Sequence, residues 1–265
     1  TGWMDTGTSC TKSNQSRCSI DLFCSDWKTL SPVDRDDIAP FIIASFDIEA
    51  YSSTGKFPSA DIKDDVCFQI AFTLKRFGES DLFDKTCLCY KDSNPIPGCN
   101  IINFESERDL LMGFRDYIVK HDIDVLTGWN IFGFDLEYIY KRATINKCPS
   151  SFYELGKLRN NPSELVEKKL SSSALGDNTF KLLPMSGIYI FDLFQEIKKQ
   201  HNLDSYSLNF VSTTFLGDQK IDMSPKEMFC RYRENDPEKL KEVAEYCIKD
   251  TILPHKLMDH LCNFL

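Results

Sequence analysis

The sequence predicts an α/β fold in which a mixed β-sheet is flanked by helices. Three runs with strand patterns lie close together early in the main part of the chain, and helical and strand patterns alternate after them. Neighbouring strands joined by short loops favour an antiparallel meander, whereas strands separated by helices favour parallel pairing. We therefore expect a meander of three strands, extended by parallel strands and covered by helices.

The composition narrows the class of protein. The chain has 265 residues, 42% of them hydrophobic, and a net charge of −9. No run of about 18 apolar residues occurs, so the sequence predicts no membrane span. The negative charge argues against a free-standing basic nucleic-acid binder, because contacts to phosphates need Lys and Arg. It leaves open an enzyme whose acidic residues bind metal ions that contact phosphates.

The cysteine pattern favours reduced thiols. There are 11 cysteines and no C-x-x-C pair. Cys87 and Cys89 would face the same side of a strand, but a zinc site would need a second pair of ligands. We interpret the cysteines as mostly buried thiols of an intracellular protein.

The first elements are strands. Residues 1–36 are polar, with one predicted strand at 18–24, and the main domain is expected to begin near residue 37. The run FIIASFDIE (41–49) has the apolar, β-branched character of a central strand. Alternation in 66–77 and the short run 85–91 predict the second and third strands.

The later elements alternate between helices and strands. Ser106 is a helix N-cap with Asp109 three residues on, and Ser224 and Glu227 form a capping box. The final helix is expected to begin at Asp236, as one helix or two. Between these points the predicted elements are a strand at 124–130, a helix at 133–146, a strand at 187–192 and a helix at 193–202.

The first strand ends in two acids. Asp47 and Glu49 are two residues apart, so a strand would point both carboxylates to the same side. Two adjacent carboxylates repel each other unless a cation lies between them, and oxygen ligands suit Mg²⁺ or Mn²⁺. A strand end exposed to solvent would explain the same pattern.

Two further acids lie in suggestive positions. Asp135 follows a strand and a Gly-containing turn, at a helix start where a negative charge is favoured. Tyr246 and Asp250 are four residues apart and share one helix face, beside an apolar stripe. Helix capping at Asp135 and an exposed pair at Tyr246 and Asp250 are the plainer explanations. The stripe consists of Leu240, Val243, Ala244, Cys247 and Ile248.

Together these stretches resemble the Tyr-containing DEDD class of 3'–5' exonucleases, and more closely the proofreading domain of family B DNA polymerases. FDIEAYS, WNIFGFDLEYIYKR and YCIKDTILPHKLM match the three motifs of that family in order. The segment from GIYIFD through SYSLN resembles the eukaryotic delta-like and large-DNA-virus branches, as does SSSALGDNTFKLLP, which is expected to form a β-hairpin. The similarity spans about residues 38–262.

The resemblance implies an RNase H-like fold and hydrolysis of phosphodiester bonds with two Mg²⁺ ions, for which Mn²⁺ can substitute. In the family pattern Asp47 bridges both metals and Tyr246 orients the attacking water. Glu49 and Asp250 complete the first metal site and Asp135 holds the second.

The resemblance also suggests residues that contact the terminal nucleotide. Phe46, Asn130 and Phe134 are the candidates. For Phe46 and Phe134, packing in the core is the alternative. Asn130 would either hydrogen-bond the DNA strand or hold its own turn.

The implied partners are a single-stranded DNA 3' end and the remainder of a parent polymerase. Residues 1–36 would be the tail of that polymerase's amino-terminal domain and residues 37–265 its exonuclease domain.

The chain lacks Y-x-D-T-D-S and S-L-Y-P stretches, so we expect no polymerase site in it. We expect a monomer with no membrane contact, acting in the nucleus or at a viral replication site in a host cell. The alternatives are an inactive scaffold domain and a free-standing DEDD nuclease that acts on RNA.

Overall fold

A computed structural model describes residues 4–5, 10–172, 176–218 and 223–261. The strands are β1 (Met4–Asp5), β2 (Cys10–Lys12), β3 (Leu22–Cys24), β4 (Ser31–Pro32), β5 (Ile42–Ala50), β6 (Cys67–Arg76), β7 (Leu82–Tyr90), β8 (Asn100–Phe104), β9 (Val125–Gly128), β10 (Val166–Ser172), β11 (Gly176–Leu182) and β12 (Tyr189–Asp192). The α-helices are α1 (Glu107–Lys120), α2 (Asp135–Ile145), α3 (Leu193–Gln200), α4 (Leu208–Leu216), α5 (Pro225–Glu234) and α6 (Pro237–Leu261). Trp27–Thr29 and Ser150–Tyr153 form short 3-10 helices.

A six-stranded sheet in the order β12-β9-β5-β6-β7-β8 forms the centre of the fold. β6 runs antiparallel to both of its neighbours, β5 and β7, and every other neighbouring pair in this sheet is parallel. The predicted mixed sheet, with its three-stranded meander and flanking helices, is confirmed. Its strand order and its single antiparallel strand agree with the expected RNase H-like fold.

Some elements differ from the prediction. β8 was not predicted, because NIINF lies half-exposed at the sheet edge and shows no clear alternation. The strand predicted at 18–24 is shortened to β3, which pairs with β2, and most of its residues are exposed. The carboxyl-terminal segment forms one continuous helix, α6, which includes Pro254.

The predicted hairpin is present. β10 and β11 pair antiparallel, with Val166 opposite Leu182. Residues 173–175 of this segment lie outside the described residues. Within the part of the chain that the structure describes, no helix is both long enough and apolar enough to cross a membrane.

Strand β5 separates two cores. Phe46 and Ile48 pack into the core beneath α1 and α2, whereas Ile43 packs into a second core with α6. Because successive side chains of a strand alternate between its faces, Asp47 and Glu49 lie on the α6 side. The fold thereby brings the two acids of the first strand against the last helix of the chain.

Candidate active site

Asp47 and Glu49 meet α6 at Cys247. One carboxylate oxygen of each acid and the Cys247 sulfur all lie within 4.8 Å of one another. Asp47 is half-buried and Glu49 is buried. Two carboxylates at this separation, partly shielded from bulk water, have the arrangement that a bound cation would stabilise.

Cys247 was placed by the sequence in the apolar stripe of the helix, and its contact with Asp47 was not foreseen. Its sulfur lies 3.6 Å from the backbone oxygen of Asp47 and 3.8 Å from the Oδ2 atom. Burial, and then the negative charge of Asp47, raise the pKa of the Cys247 thiol well above its usual value. The thiol therefore remains protonated and donates to Asp47. The helix periodicity identified its burial but carried no information about its neighbour on β5.

Tyr246 and Asp250 lie on α6 beside the same acids. They are 8% and 5% exposed, so they are not the exposed pair that was the plainer explanation. Burial raises the pKa of the Tyr246 hydroxyl, and the nearby charges of Glu49, Asp250 and Asp47 raise it further. Tyr246 therefore keeps its proton at neutral pH and acts as a hydrogen-bond donor.

Asp135 is the first residue of α2 and is buried. Burial, and then the negative charge of Asp47, raise its pKa well above the usual value for an aspartate. Hydrogen bonds from its own backbone amide and from the amide of Ile48 act in the opposite direction. Asp135 therefore reaches the backbone of β5 between Asp47 and Glu49.

The four predicted acids share one electrostatic neighbourhood but are not equally close. Among the described residues, the group within 4.8 Å contains Asp47, Glu49 and Cys247, and it includes neither Asp135 nor Asp250. Carboxylate oxygens are the preferred ligands of Mg²⁺ and Mn²⁺. The donor set therefore fits a hard divalent cation, with Asp47 and Glu49 closest together.

The turn between β9 and α2 presents Asp135. Asn130 adopts a left-handed backbone conformation with φ of 60°. Its side chain lies so close to Gly133 that a Cβ atom there would be 2.4 Å from the Asn130 Oδ1 atom. The side chain of Asn130 therefore lies over its own turn, and a side chain at position 133 would have to displace it.

Asp192, which no sequence motif indicated as a site residue, lies beside this turn. Its carboxylate accepts hydrogen bonds from the backbone amides of Asn130, Phe132 and Phe194. Burial raises the pKa of Asp192 to about 6, although the amide donors lower it. Asp192 lies between the predicted strand and helix of GIYIFDLF, which indicated a helix N-cap. No sequence pattern indicated its contact with the distant turn.

A groove of about 600 Å³ opens beside Glu49 and Tyr246. Phe134 lines it, and the ring of Phe57 lies edge-on to Phe134 with centroids 5.0 Å apart. Two cationic side chains, Lys56 and Lys226, also line the groove. Phe57 is strongly exposed in the loop that follows β5, and an aromatic residue in a polar loop was the sequence signal that could have identified it.

Phe46 occupies a different environment. Its side chain is fully buried, and its ring centroid lies 6.0 Å from that of Phe72 and 5.7 Å from that of Phe114. A ring enclosed on the α1 side of the sheet has no face to offer a nucleotide. The structure therefore favours the core-packing alternative for Phe46, whereas Phe134 packs partly against the same core and also lines the groove.

Comparison with known proteins identifies similar sequences. The pattern of one family, described as DNA polymerase family B, exonuclease domain, matches residues 2–211. A DNA polymerase of Paramecium bursaria Chlorella virus NY2A is 37% identical over 235 residues, covering 86% of this chain and 26% of the viral protein. The DNA polymerase delta catalytic subunit of Dictyostelium discoideum is 38% identical over 246 residues, covering 93% of this chain and 22% of that subunit.

A plant relative extends the match. The DNA polymerase delta catalytic subunit of Arabidopsis thaliana is 34% identical over 265 residues, covering 98% of this chain and 24% of that subunit. The relatives thus include both branches that the sequence motifs suggested, the delta-like and the viral. The chain spans about a quarter of the length of the curated relatives that it matches.

Proposed function

The chain belongs to the exonuclease-domain family of family B DNA polymerases. From this premise we propose that it releases single nucleotides from DNA 3' ends by metal-dependent hydrolysis of phosphodiester bonds. Membership of this family supports a 3'–5' proofreading exonuclease. The observation that carries the proposed chemistry is the approach of Asp47 and Glu49 to each other on β5, against α6. Assignment to the Tyr-containing DEDD class is part of the proposal.

The acids would act as metal ligands. Asp47, Glu49, Asp135 and Asp250 would hold two Mg²⁺ ions, or Mn²⁺ in their place. When bound, two divalent cations supply a polarised water and stabilise charge on the scissile phosphate. The four carboxylates balance four positive charges, so the acids are favourable together when the metal is present.

Tyr246 would orient the attacking water. Its raised pKa keeps the hydroxyl protonated, so it donates a hydrogen bond and does not abstract a proton. A buried hydroxyl near Glu49 and Asp250 loses little freedom when it holds a water molecule in place. Tyr246 is therefore assigned a positioning role in the reaction.

The groove beside Glu49 would bind the end of the DNA strand. Phe57 and Phe134 offer aromatic surface on which a base can stack, and Lys56 and Lys226 offer charge to the backbone phosphates. Stacking requires an unpaired base, so a single-stranded 3' end is the proposed substrate. A mismatched terminus separates more readily from its template and would enter the groove more often.

We also propose a boundary near residue 37. The strands described within residues 1–36 form two small ladders, β1 with β4 and β2 with β3, apart from the six-stranded sheet. They would be the tail of the amino-terminal domain of a parent polymerase, with residues 37–265 as its exonuclease domain. The remainder of that polymerase would be the partner, and DNA replication in a nucleus or at a viral replication site would be the setting.

A degradation assay tests the proposal. The chain is incubated with 5'-labelled single-stranded DNA in Mg²⁺, next to Asp47→Asn with Glu49→Gln. We expect stepwise shortening by the chain and its loss in the double variant. The matched control neutralises two exposed acids of the same types, Asp204→Asn with Glu105→Gln, and should shorten DNA normally.

Three outcomes would contradict the proposal. Equal shortening by the double variant would reject the Asp47 and Glu49 site. Absence of cleavage in both Mg²⁺ and Mn²⁺, by a chain whose circular dichroism shows that it is folded, would favour an inactive scaffold. Faster cleavage of labelled RNA than of DNA would favour a free-standing RNA nuclease.

A further inference from the structure

We propose that Asp192 is a positioning residue that fixes the turn leading into Asp135. The inference rests on the proposed function, because it concerns the placement of one of the proposed metal ligands. The observation behind it is that one buried carboxylate, at the end of β12, binds two backbone amides of the turn between β9 and α2.

The sheet places Asp192 opposite the start of this turn. Asp192 is the last residue of β12 and pairs with Gly128, the last residue of β9. Both strands run in the same direction, so both chains leave the sheet at the same edge. Beyond Gly128 the backbone amides no longer have a neighbouring strand to bind, and the Asp192 carboxylate provides acceptors for them.

The hydrogen bonds involve both oxygens of the carboxylate. Oδ1 accepts from the amide of Asn130 at 3.0 Å, and Oδ2 accepts from the amide of Phe132 at 3.0 Å. Asp192 is 2% exposed, so water does not compete for these amides. A carboxylate that accepts from backbone N–H groups forms charge-assisted bonds, which are stronger than bonds between neutral groups.

The turn includes one residue in the left-handed region. Asn130 has a positive φ of 60°, a conformation that asparagine adopts more readily than most residues. The amide of Gly133 binds the carbonyl of Asn130 at 2.9 Å, which closes the turn on itself. Asp192 holds the amides of Asn130 and Phe132, so three of the N–H groups of this turn are satisfied in the arrangement observed.

The consequence reaches Asp135, three residues after Phe132. The carboxylate of Asp135 accepts a hydrogen bond from the backbone amide of Ile48, and the charge of Asp47 raises its pKa. A turn that moves displaces the start of α2, and with it this carboxylate. Because misplacement of a reacting group by about 1 Å can reduce a rate by about 100-fold, a positioning role at Asp192 would have a large effect.

Asp192 has a second contact, which the variants can separate from the first. Its Oδ1 atom also accepts from the amide of Phe194 at 3.1 Å and so caps α3. Serine is a good N-cap but is too short to reach the turn as well, so Asp192→Ser keeps the cap and removes the support. Asp192→Asn keeps the shape of the side chain, but it replaces one of the two accepting oxygens by an NH₂ group. That group is a donor and cannot accept from a backbone amide.

The control is an aspartate at the start of β9, the end of that strand away from the turn. Asp124 precedes β9, and its Oδ2 atom accepts from the backbone amide of Ile42 at 2.8 Å. Asp124→Asn therefore changes the same kind of carboxylate-to-amide bond, away from the turn. Asp135→Asn is the reference for loss of the ligand itself.

The experiment measures kcat, KM and Mn²⁺ binding for these variants. Steady-state cleavage of single-stranded DNA gives the rate constants, electron paramagnetic resonance gives free Mn²⁺ in a titration without DNA, and thermal melting reports folding. We expect both Asp192 variants to melt as folded proteins, with kcat lowered about 10- to 100-fold and KM changed less than about twofold. One Mn²⁺ site should weaken in them, as in Asp135→Asn, and Asp124→Asn should match the unchanged chain.

The remaining outcomes overturn the inference. Folded Asp192 variants with unchanged kcat and unchanged Mn²⁺ binding would show that the turn holds its position without Asp192. Failure of both variants to fold would show that Asp192 supports the whole fold and not the turn. Normal cleavage by Asp135→Asn would instead reject the proposed role of Asp135, on which the inference rests. If cleavage is lost in Asp135→Asn but is normal in Asp192→Ser, the inference alone is rejected.

Discussion

Arg142 and Glu107 form a buried ion pair with two parallel contacts. The Arg142 Nε atom lies 2.8 Å from Oε1 of Glu107, and the Nη2 atom lies 2.5 Å from Oε2. The two side chains are only 2% and 5% exposed. Arg142 also donates to the backbone oxygens of Ala60, Ile62 and Lys63, so the pair joins α1 and α2 to the loop that carries Phe57.

Breaking this ion pair should destabilise the fold. Glu107→Gln leaves the Arg142 charge buried without its partner, and we expect the free energy of unfolding to fall by about 3–5 kcal/mol. Urea denaturation followed by circular dichroism measures the change. The exposed pair of Lys141 and Asp61 is the control, and Asp61→Asn should cost less than about 1 kcal/mol. A loss below about 1 kcal/mol in Glu107→Gln would mean that the pair contributes little.

Metal should stabilise the folded chain through the acidic cluster. Mg²⁺ that binds the folded state alone raises the melting temperature, and removal with a chelator should lower it again. In the absence of metal, Asp47→Asn removes repulsion with Glu49 and should melt at the same temperature as the chain or higher. The variant should also lose most of its response to Mg²⁺. Equal responses to Mg²⁺ in both proteins would place the binding elsewhere.

Phe57 should contribute to binding of single-stranded DNA. Loss of a stacking partner costs about 1–3 kcal/mol per base, so Phe57→Ala should raise Kd about 5- to 100-fold. Fluorescence anisotropy with a labelled oligonucleotide, in Ca²⁺ to suppress cleavage, measures this. Phe83 is a matched control, since it is also an exposed phenylalanine and lies on β7 away from the groove. Equal affinity in the two variants would remove the groove from the binding site.

His255 should make stability depend on pH below neutrality. Burial lowers its pKa to about 4, and its Nε2 atom lies 3.1 Å from the backbone oxygen of Thr73. In the unfolded chain its pKa is about 6.5, so the unfolded state binds the proton first as pH falls. The contribution is present above about pH 6.5 and is lost progressively toward pH 4, by about 3 kcal/mol.

The comparison that isolates this effect uses His255→Gln. Asp192, whose pKa is raised to about 6, acts in the opposite direction over part of the same range, so the variant serves as the reference. Urea denaturation between pH 7 and pH 4 should show the chain losing stability relative to His255→Gln. A constant difference across this range would contradict the expected proton linkage.

Gly128 should not tolerate a side chain. A Cβ atom at this position would lie 2.5 Å from the backbone oxygen of Phe46 and 2.6 Å from Cγ2 of Ile131. Gly128→Ala must therefore push β9 away from β5 beside Asp47, and we expect a loss of about 1–3 kcal/mol in stability with reduced cleavage. Gly113→Ala is the milder control, because its Cβ would meet the end of the half-buried Phe104 ring. Equal losses of stability in the two variants would show that the approach of the strands is not the cause.

Local patterns predicted the elements well where a short-range rule acts. Ser106 caps α1 by accepting from the amide of Asp109, and Ser224 with Glu227 forms the expected capping box on α5. Alternation along β5 also predicted that Asp47 and Glu49 share a face. Each of these depends on residues within four positions of one another, so the sequence contains the whole cause.

Such short-range rules did not predict contacts between residues that are far apart in the sequence. Cys247 approaches Asp47 from 200 positions away, and Asp192 binds Phe132 from 60 positions away. Phe46 was a candidate for DNA contact, yet its ring lies on the opposite face of β5 from Asp47. No single-sequence pattern specifies which core a strand face enters, because that depends on the helix that covers it.

The sequence by itself determined the mixed α/β order, the helix ends and the three acidic motifs, since periodicity and capping act within a few residues. The tertiary structure alone decided that α6 covers the Asp47 face of β5, that Asp192 meets the turn before Asp135, and that Phe57 stands beside Phe134. These contacts follow from strand order and from the burial of whole faces, which are set by the collective packing of distant segments.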